Sequence, residues 1–505
     1  MAGLCIFDGF NSLFNEQKRY FIVYILILTI ITLSAFHSSS FSHMHIYVSV
    51  FIISSILGCV FISLYPKHIE LYKLVFLMIL CFGIISCFLT PINMVPDESE
   101  HLVRAEITSQ GVLIPEYVNG SYLTINAVLN LINDYSNTVF TSNSANQPIN
   151  FSIDSSNSAF SQNPFFGYIF QALGILLAKV LNLNTIWILW LARIMNCLLY
   201  ASLISLAVKK ASILKVPLTF ISCLPLALYQ ISSVSIDSLV FGFGILAFAY
   251  FLFMFKSENE SLTKKDIFIF SFLCLILGFS KITYFAFIFL LLLVPGEKFE
   301  KKSDYYLCLF SVILVIIIAL CWSIFYANPS LEYSNRHLHA LNNNINQTSQ
   351  LNYVINHPLS FIKSGFFSFN YLFPIDELLL CYFEEIQTSS YFLKRLFVPV
   401  FCLIMFAYPH KEKYPMKLRL GLFLISFIIF YGTYFIQLLS WTPVGQLYPI
   451  FGVQTRYFIP LLPLISIIFA LNNNSQENPV VDKVIIMFSI VFMATLSIVQ
   501  ALVFY

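Results

Sequence analysis

Apolar residues in this chain gather into runs closed by Lys, Pro, Asn or Asp, at about 21–36, 46–65, 74–89, 185–208, 216–231, 235–255, 267–280, 282–295, 305–325, 396–408, 419–439, 457–471 and 484–505. A helix rising 1.5 Å per residue crosses roughly 30 Å of hydrocarbon in about 20 residues, so the pattern predicts about thirteen membrane spans. Inside a bilayer the backbone must satisfy its own hydrogen bonds, and a helix does so within one segment. The predicted fold class is therefore an all-α polytopic membrane protein. The first run follows Lys18 and Arg19 but has no convincing small-x-small cleavage site after it, so it is read as a retained span rather than a signal peptide.

The distribution of Lys and Arg orients these spans. With the N-terminus inside, the inner loops hold most of the 27 basic residues, among them Lys18, Arg19, Lys209, Lys210, Lys264, Lys265, Lys301 and Lys302, as the positive-inside rule requires. Pro164 to Leu181 is apolar enough to span, yet counting it would put Lys209 and Lys210 outside. It is expected instead to lie along the outer surface as an interfacial helix. Three outer segments result: Pro91 to about Asn184, Tyr326 to about Arg395, and Ser440 to Arg456. Residues 1–73 form an N-terminal two-helix segment ahead of a membrane domain at 74–505.

Composition agrees with this reading and removes other classes. Of 505 residues, 58% are hydrophobic and 10% charged, against about 25% charged in a soluble domain. A net charge of +2 with no block of five like charges offers nothing to nucleic acid. Ten of the eleven cysteines sit in or beside apolar runs, leaving Cys381 alone, and no disulfide framework or zinc pattern is readable. His43 with His45 and His337 with His339 form i, i+2 pairs without a supporting carboxylate or cysteine pattern, so no metal and no cofactor is expected. Walker, dinucleotide, Asp-x-Asp and nucleophile-elbow motifs are missing from the sequence.

The densest group of ionisable residues follows the third run: Pro96, Asp97, Glu98, Glu100, His101, Arg104 and Glu106. Pro96 favours a turn, and Glu98 to Gln110 predicts a helix with carboxylates in its first turn and Asp97 near the N-cap, where the helix dipole favours negative charge. His101 and Arg104 are three apart and Glu100 and Arg104 four apart, placing acid, imidazole and guanidinium on one face. Two readings stand. Asp97 and Glu98 cap the helix while Arg104 pairs internally, or Asp97 is a general base at the lip of a membrane cavity.

Arg456 opens an apolar run beside Tyr457. Its rigid fork suits a phosphate, and an interfacial snorkelling anchor is the competing reading. Lys281 divides two short apolar runs, and because a charge at the centre of a spanning helix costs about 2.5 to 3.5 kcal/mol, it is read as an outer turn on the side of Asp97 and Arg456. Asp237, at the outer end of its run, is a helix cap with at most a supporting role. Asp376-Glu377 and Glu384-Glu385 have two readings, contact with a polar acceptor or an exposed acidic loop, and the second is expected.

At these residues the chain resembles the membrane family catalogued as domain of unknown function 2142, itself similar to the GT-C superfamily of lipid-phosphate-sugar glycosyltransferases. The family's Pro-Asp-Glu-x-x-His-x-x-Arg-Ala signature matches Pro96, Asp97, Glu98, His101, Arg104 and Ala105. Its Gln-Gly-Arg-Tyr-x-x-Pro signature resembles Gln454 to Pro460, with Thr455 in place of the usual Gly. Ser-x-x-x-Asp at Asp237 and Lys-x-x-Tyr at Lys281 and Tyr284 fall between them.

The resemblance implies a GT-C-like catalytic domain at 74–505 with outer loops 91–184 and 326–395. It implies Asp97 and Glu98 as catalytic residues, Arg456, Lys281 and Arg104 as donor-phosphate contacts, and His101, Asp237, Tyr284 and Tyr457 in support. It further implies an inverting transfer of a sugar from a polyprenyl phosphate carrier, at the periplasmic face of a bacterial inner membrane. Size, layout and composition are also similar to phage-type O-antigen glucosyltransferases that convert serotype. These use undecaprenyl phosphate glucose, act on a polysaccharide acceptor, and work with a flippase and a donor-lipid synthase. A transporter or flippase for a lipid-linked saccharide is the competing class; ionisable groups gathered at one face rather than the midplane favour the enzyme.

Overall fold

The computed structural model describes residues 2–35, 43–66, 68–116, 121–156, 158–161, 163–327, 343–372, 375–381, 391–411, 413–471 and 478–505. His337, His339, Glu384 and Glu385 lie outside these residues. The described residues are predominantly helical. Among the described residues eight helices are long and apolar enough to cross a membrane. These are α1 (Ala2–Ala35, apolar from Gln17), α2 (Met44–Leu64), α3 (Leu71–Leu89), α7 (Ile186–Lys210), α10 (Asp237–Lys256), α12 (Lys302–Trp322), α17 (Met416–Trp441) and α19 (Pro479–Phe504). The protein is thus a multi-pass membrane protein.

The remaining expected spans are shorter or broken. The run at 216–231 is two helices, α8 (Lys215–Ser222) and α9 (Pro225–Ile231), because Pro225 has no N–H to continue the ladder and Leu224 is extended. The runs at 267–280 and 282–295 become α11 (Lys264–Ser280) and a tightly wound 3-10 helix, Ile282–Leu293. The run at 396–408 is α16 (Tyr391–Ala407), and the run at 457–471 is a 3-10 turn, Thr455–Leu461, leading into α18 (Leu462–Ile468). At about 2.0 Å per residue, twelve residues of 3-10 helix reach about 24 Å, nearer to a span than the same length of α-helix.

The centre of the bundle is α19, with 89% of its apolar window buried, whereas α12 has 17% and presents Phe310, Ile313, Ile317 and Leu320 outward. α7 packs on α3, α10 and α6 (Ile169–Val180). The last of these is the element expected at the surface. About 18 Å long, it cannot cross a bilayer. It buries Gln171, Ala172, Gly174, Ile175 and Ala178 and exposes Leu173, Leu176, Leu177 and Val180. The N-terminal pair does not stand apart, since α1 and α2 both pack on α19.

The first long loop, rich in Asn and Ser, is folded. α4 (Glu98–Ser109), β1 (Tyr122–Ile125), α5 (Asn126–Asn133) and β2 (Ile153–Ser156) form a cap, with β1 and β2 antiparallel in the register Tyr122 to Ser156. Buried Glu106 ties it together, accepting from Lys179 at 2.8 Å, Thr124 at 2.7 Å and Gln110 at 2.8 Å. A carboxylate with three donors is a stable buried group rather than a reactive one. The other described helices are α13 (Gln347–Asn356), α14 (Pro358–Leu372) and α15 (Ile375–Leu380).

Candidate functional site

α3, α11, α12 and α17 end, and α7 and α10 begin, at the same end of the bundle, where the acidic loop covers them. Their opposite ends carry Lys209, Lys210, Lys256, Lys264, Lys265, Lys302 and Lys417. Between the capping loop and the helix ends lies a cavity of about 460 Å³, within the range of small-molecule sites. Its polar wall includes Asp97, His101, Asp237, Lys281 and Arg456; its aromatic wall includes Phe279, Trp322, Tyr326 and Tyr457.

Asp97 is the N-cap of α4 but makes no capping bond, and its φ of 70° is left-handed. That conformation costs about 1–2 kcal/mol, and Asp is among the few residues that adopt it. The turn directs the carboxylate away from the helix and onto Arg456 Nη2. Arg456 Nη1 donates to Pro96 O at 3.0 Å and Nε lies 3.3 Å from Asp237 Oδ2. One guanidinium thus joins two carboxylates 140 residues apart in sequence (237 − 97). Asp97 keeps 31% of its side chain exposed and Asp237 8%, so Asp97 is the carboxylate a ligand in the cavity can reach.

Lys281 forms the turn between α11 and the following 3-10 helix, with its Nζ 2.9 Å above the Tyr457 ring. It has no carboxylate or hydrogen-bonding partner among the described residues. Burial pushes its ammonium well below the ordinary lysine range, Arg456 adds to this, and Asp237 and Asp97 oppose it. An ammonium held only by an aromatic face retains its donors for an anion. Tyr284 lies behind this wall and donates its hydroxyl to Tyr457 O. His101 faces the cavity, stacked on Phe160 at 4.5 Å, with Nδ1 2.6 Å from the Tyr168 hydroxyl. Asn163 donates to that same hydroxyl oxygen at 2.9 Å.

Two expected site residues are placed elsewhere. Glu98 lines no part of the cavity and is buried in a salt bridge with Arg193, Nη2 to Oε2 at 2.6 Å. Its position is that of an anchor for the loop. Arg104 is likewise outside the cavity and fully engaged, Nε with Asn163 O at 2.9 Å, Nη1 with Thr108 Oγ1 at 2.7 Å and Nη2 with Leu113 O at 2.9 Å. It holds the loop's return. The internal pairing weighed for Arg104 is observed, while the capping weighed for Asp97 is not.

Three features do not connect to the site from sequence alone. Arg193, inside α7, had to have a counter-ion, and that requirement was the available signal for Glu98. Trp322 and Tyr326 stack at 4.3 Å across a π-helical turn, Ser323–Ala327, a local widening common at functional sites. Gln171 donates to Asn196 Oδ1 at 2.6 Å and to Ser235 O at 2.9 Å, and Asn196 to Ser233 O at 2.7 Å, fixing the loop that presents Asp237. Among the described residues no group of three or more His, Cys, Asp or Glu is placed to hold a metal.

A family model described as Predicted membrane protein (DUF2142) matches residues 80–465. No curated protein and no solved structure matches the chain.

Proposed function

The chain belongs to the DUF2142 family of predicted membrane proteins, and from that premise we propose that it is an inverting glycosyltransferase taking a sugar, glucose in our reading, from a polyprenyl phosphate carrier. The observation that carries the reading is that Asp97, Asp237, Lys281 and Arg456, from four distant segments, face one cavity at the end of the bundle opposite the lysine-rich helix ends. Under the positive-inside rule that end faces the periplasm of a bacterial inner membrane.

In this reading the donor's phosphate meets Lys281 first, because that cation has no carboxylate partner, and then competes with Asp97 for Arg456. Release from Arg456 leaves Asp97 able to accept the acceptor hydroxyl's proton. The acceptor oxygen bonds to the sugar C1 as the bond from C1 to the phosphate oxygen breaks on the opposite face. The electron pair leaves on the lipid phosphate, where Arg456 and Lys281 stabilise it. The acceptor is a periplasmic polysaccharide such as lipid-linked O-antigen, and the partners are a flippase and the donor-lipid synthase. The transfer uses no cofactor.

The test is transfer of labelled glucose from undecaprenyl phosphate glucose to an O-antigen acceptor by detergent-purified protein, with mass spectrometry of the product. One hexose added per repeat supports the reading. Saccharide movement in sealed vesicles without transfer in detergent replaces it with transport.

A further inference from the structure

We propose that Glu377 is a positioning residue that sets the aim of Arg456; the inference rests on the glycosyl-transfer reading above. Glu377 belongs to the second long loop, where an exposed acidic stretch is the plain expectation. In the structure α15 docks on α9, on α16 and on the 3-10 turn Thr455–Leu461. There Thr455 Oγ1 donates to Glu377 Oε2 at 2.5 Å, and Thr455 is 3% exposed. A hydroxyl to an ionised carboxylate at this separation is among the stronger hydrogen bonds a protein makes.

The position of that bond gives it its role. Thr455 directly precedes Arg456, and Gln454 before it is extended, so no upstream helix fixes the backbone. On the other flank Tyr284 binds the carbonyl of Tyr457 and Lys281 lies over its ring. The three residues 455–457 are held from both sides, and Glu377 supplies the hold on the Thr455 side. Arg456 must divide its fork between two carboxylates and a phosphate, and a backbone rotation of a few degrees would displace the guanidinium by a large part of an ångström. Misplacement by about 1 Å can cost on the order of 10²-fold in rate. Glycine at position 455 could not form the bond, so the device depends on the threonine in this chain.

The experiment compares Glu377→Ala, Thr455→Ala, the double variant, Glu377→Gln and Thr455→Ser in the purified protein, reading kcat, KM and the melting temperature in detergent. The expected result is a kcat lower by about 10- to 100-fold in both alanine variants with donor KM little changed, as for an interaction realised in the transition state. The double variant should be no worse than either single one. Thr455→Ser and Glu377→Gln, which keep a hydroxyl and an acceptor oxygen, should recover most of the rate, and melting temperatures should match the wild type. Wild-type kcat in Glu377→Ala, additive losses, or a rate loss that only tracks melting overturns the inference. Should the wild type transfer no sugar, the enzymatic reading falls, and the same variants are read by the melting shift with undecaprenyl phosphate. A wild-type shift that the alanine variants lose and Thr455→Ser keeps supports the positioning role; equal shifts in all variants, or none in the wild type, overturn it.

Discussion

Glu98 and Arg193 stand 95 positions apart and meet in a salt bridge with neither side chain exposed, Nε to Oε1 at 2.7 Å and Nη2 to Oε2 at 2.6 Å. The guanidinium also donates to the carbonyls of Cys87, Thr90 and Pro91, and Glu98 Oε1 accepts from the Val234 amide at 2.9 Å. The end of α3, the start of α4, the first third of α7 and the loop before α10 are thereby tied at one point. That point fixes the distance between Asp97 and Asp237, the two carboxylates that share Arg456.

Removing one partner leaves the other charge buried and uncompensated, at a cost of about 3–5 kcal/mol. Glu98→Gln and Arg193→Met should each lower the melting temperature in detergent markedly. The double variant Glu98→Leu with Arg193→Met should recover only part of the loss, because it leaves no orphan charge but still strands the carbonyls of Cys87, Thr90 and Pro91 and the Val234 amide. Single variants that melt with the wild type would show that the pair does not carry the loop.

On the proposed reading Asp97 acts through chemistry; it makes no capping bond and is partly exposed. Asp97→Asn should keep its membrane level and lose little melting temperature, because Arg456 keeps Asp237 as a counter-ion, while transfer falls by about 10²- to 10⁴-fold, the usual worth of a positioned base. Labelled sugar transfer and immunoblotting of membranes measure the two separately. Normal transfer by this variant would remove Asp97 from the mechanism.

Because burial lowers the pKa of Lys281, its charge is lost on the alkaline side sooner than for an ordinary lysine at about 10.4. Only the ammonium attracts phosphate, so donor affinity should weaken as pH rises through that lowered value. Lys281→Arg stays charged and should flatten this alkaline limb; Lys281→Met should bind weakly at every pH. Donor KM measured from about pH 6 to 10 decides, and identical profiles for wild type and Lys281→Arg would dismiss the ammonium's part.

A Cβ placed on Gly174 would fall 2.4 Å from Leu191 O and 2.8 Å from Ala192 N, backbone atoms of α7 that cannot yield. Gly174→Val should push α6 off α7 and cost about 1–3 kcal/mol, as overpacking does. It should also raise acceptor KM, because Tyr168 and Gln171, which hold His101 and the Asp237 loop, move with α6. Leu173→Ala, on the exposed face of the same helix, serves as the control and should melt unchanged.

Much of this architecture is legible from local pattern. Apolar runs place the long helices, and the cluster at Asp97, the turn at Lys281 and the arginine at 456 are each visible as charges where an apolar chain should have none. The rest depends on which distant groups meet. Glu98 and Asp97 are neighbours of like chemistry in the sequence, and only Arg193 arriving from one side and Arg456 from the other separates an anchor from a reachable carboxylate. Glu377 is likewise unreadable as a site neighbour, because an acidic pair in a long polar segment gives no periodicity to follow. Hydropathy also cannot distinguish an α-helix from the 3-10 helix Ile282–Leu293, since both leave the same apolar run in the sequence.

α1 and α2 find their packing partner in α19, where Lys483 donates to Gln17 and lies 3.3 Å from Tyr65 O. A ribosome makes these surfaces in the reverse of the order in which they can be used. The opening hairpin is inserted while its binding face is still more than four hundred residues from being synthesised, and until then lipid must cover that face. Closure of the bundle around α1 and α2 therefore waits for α19.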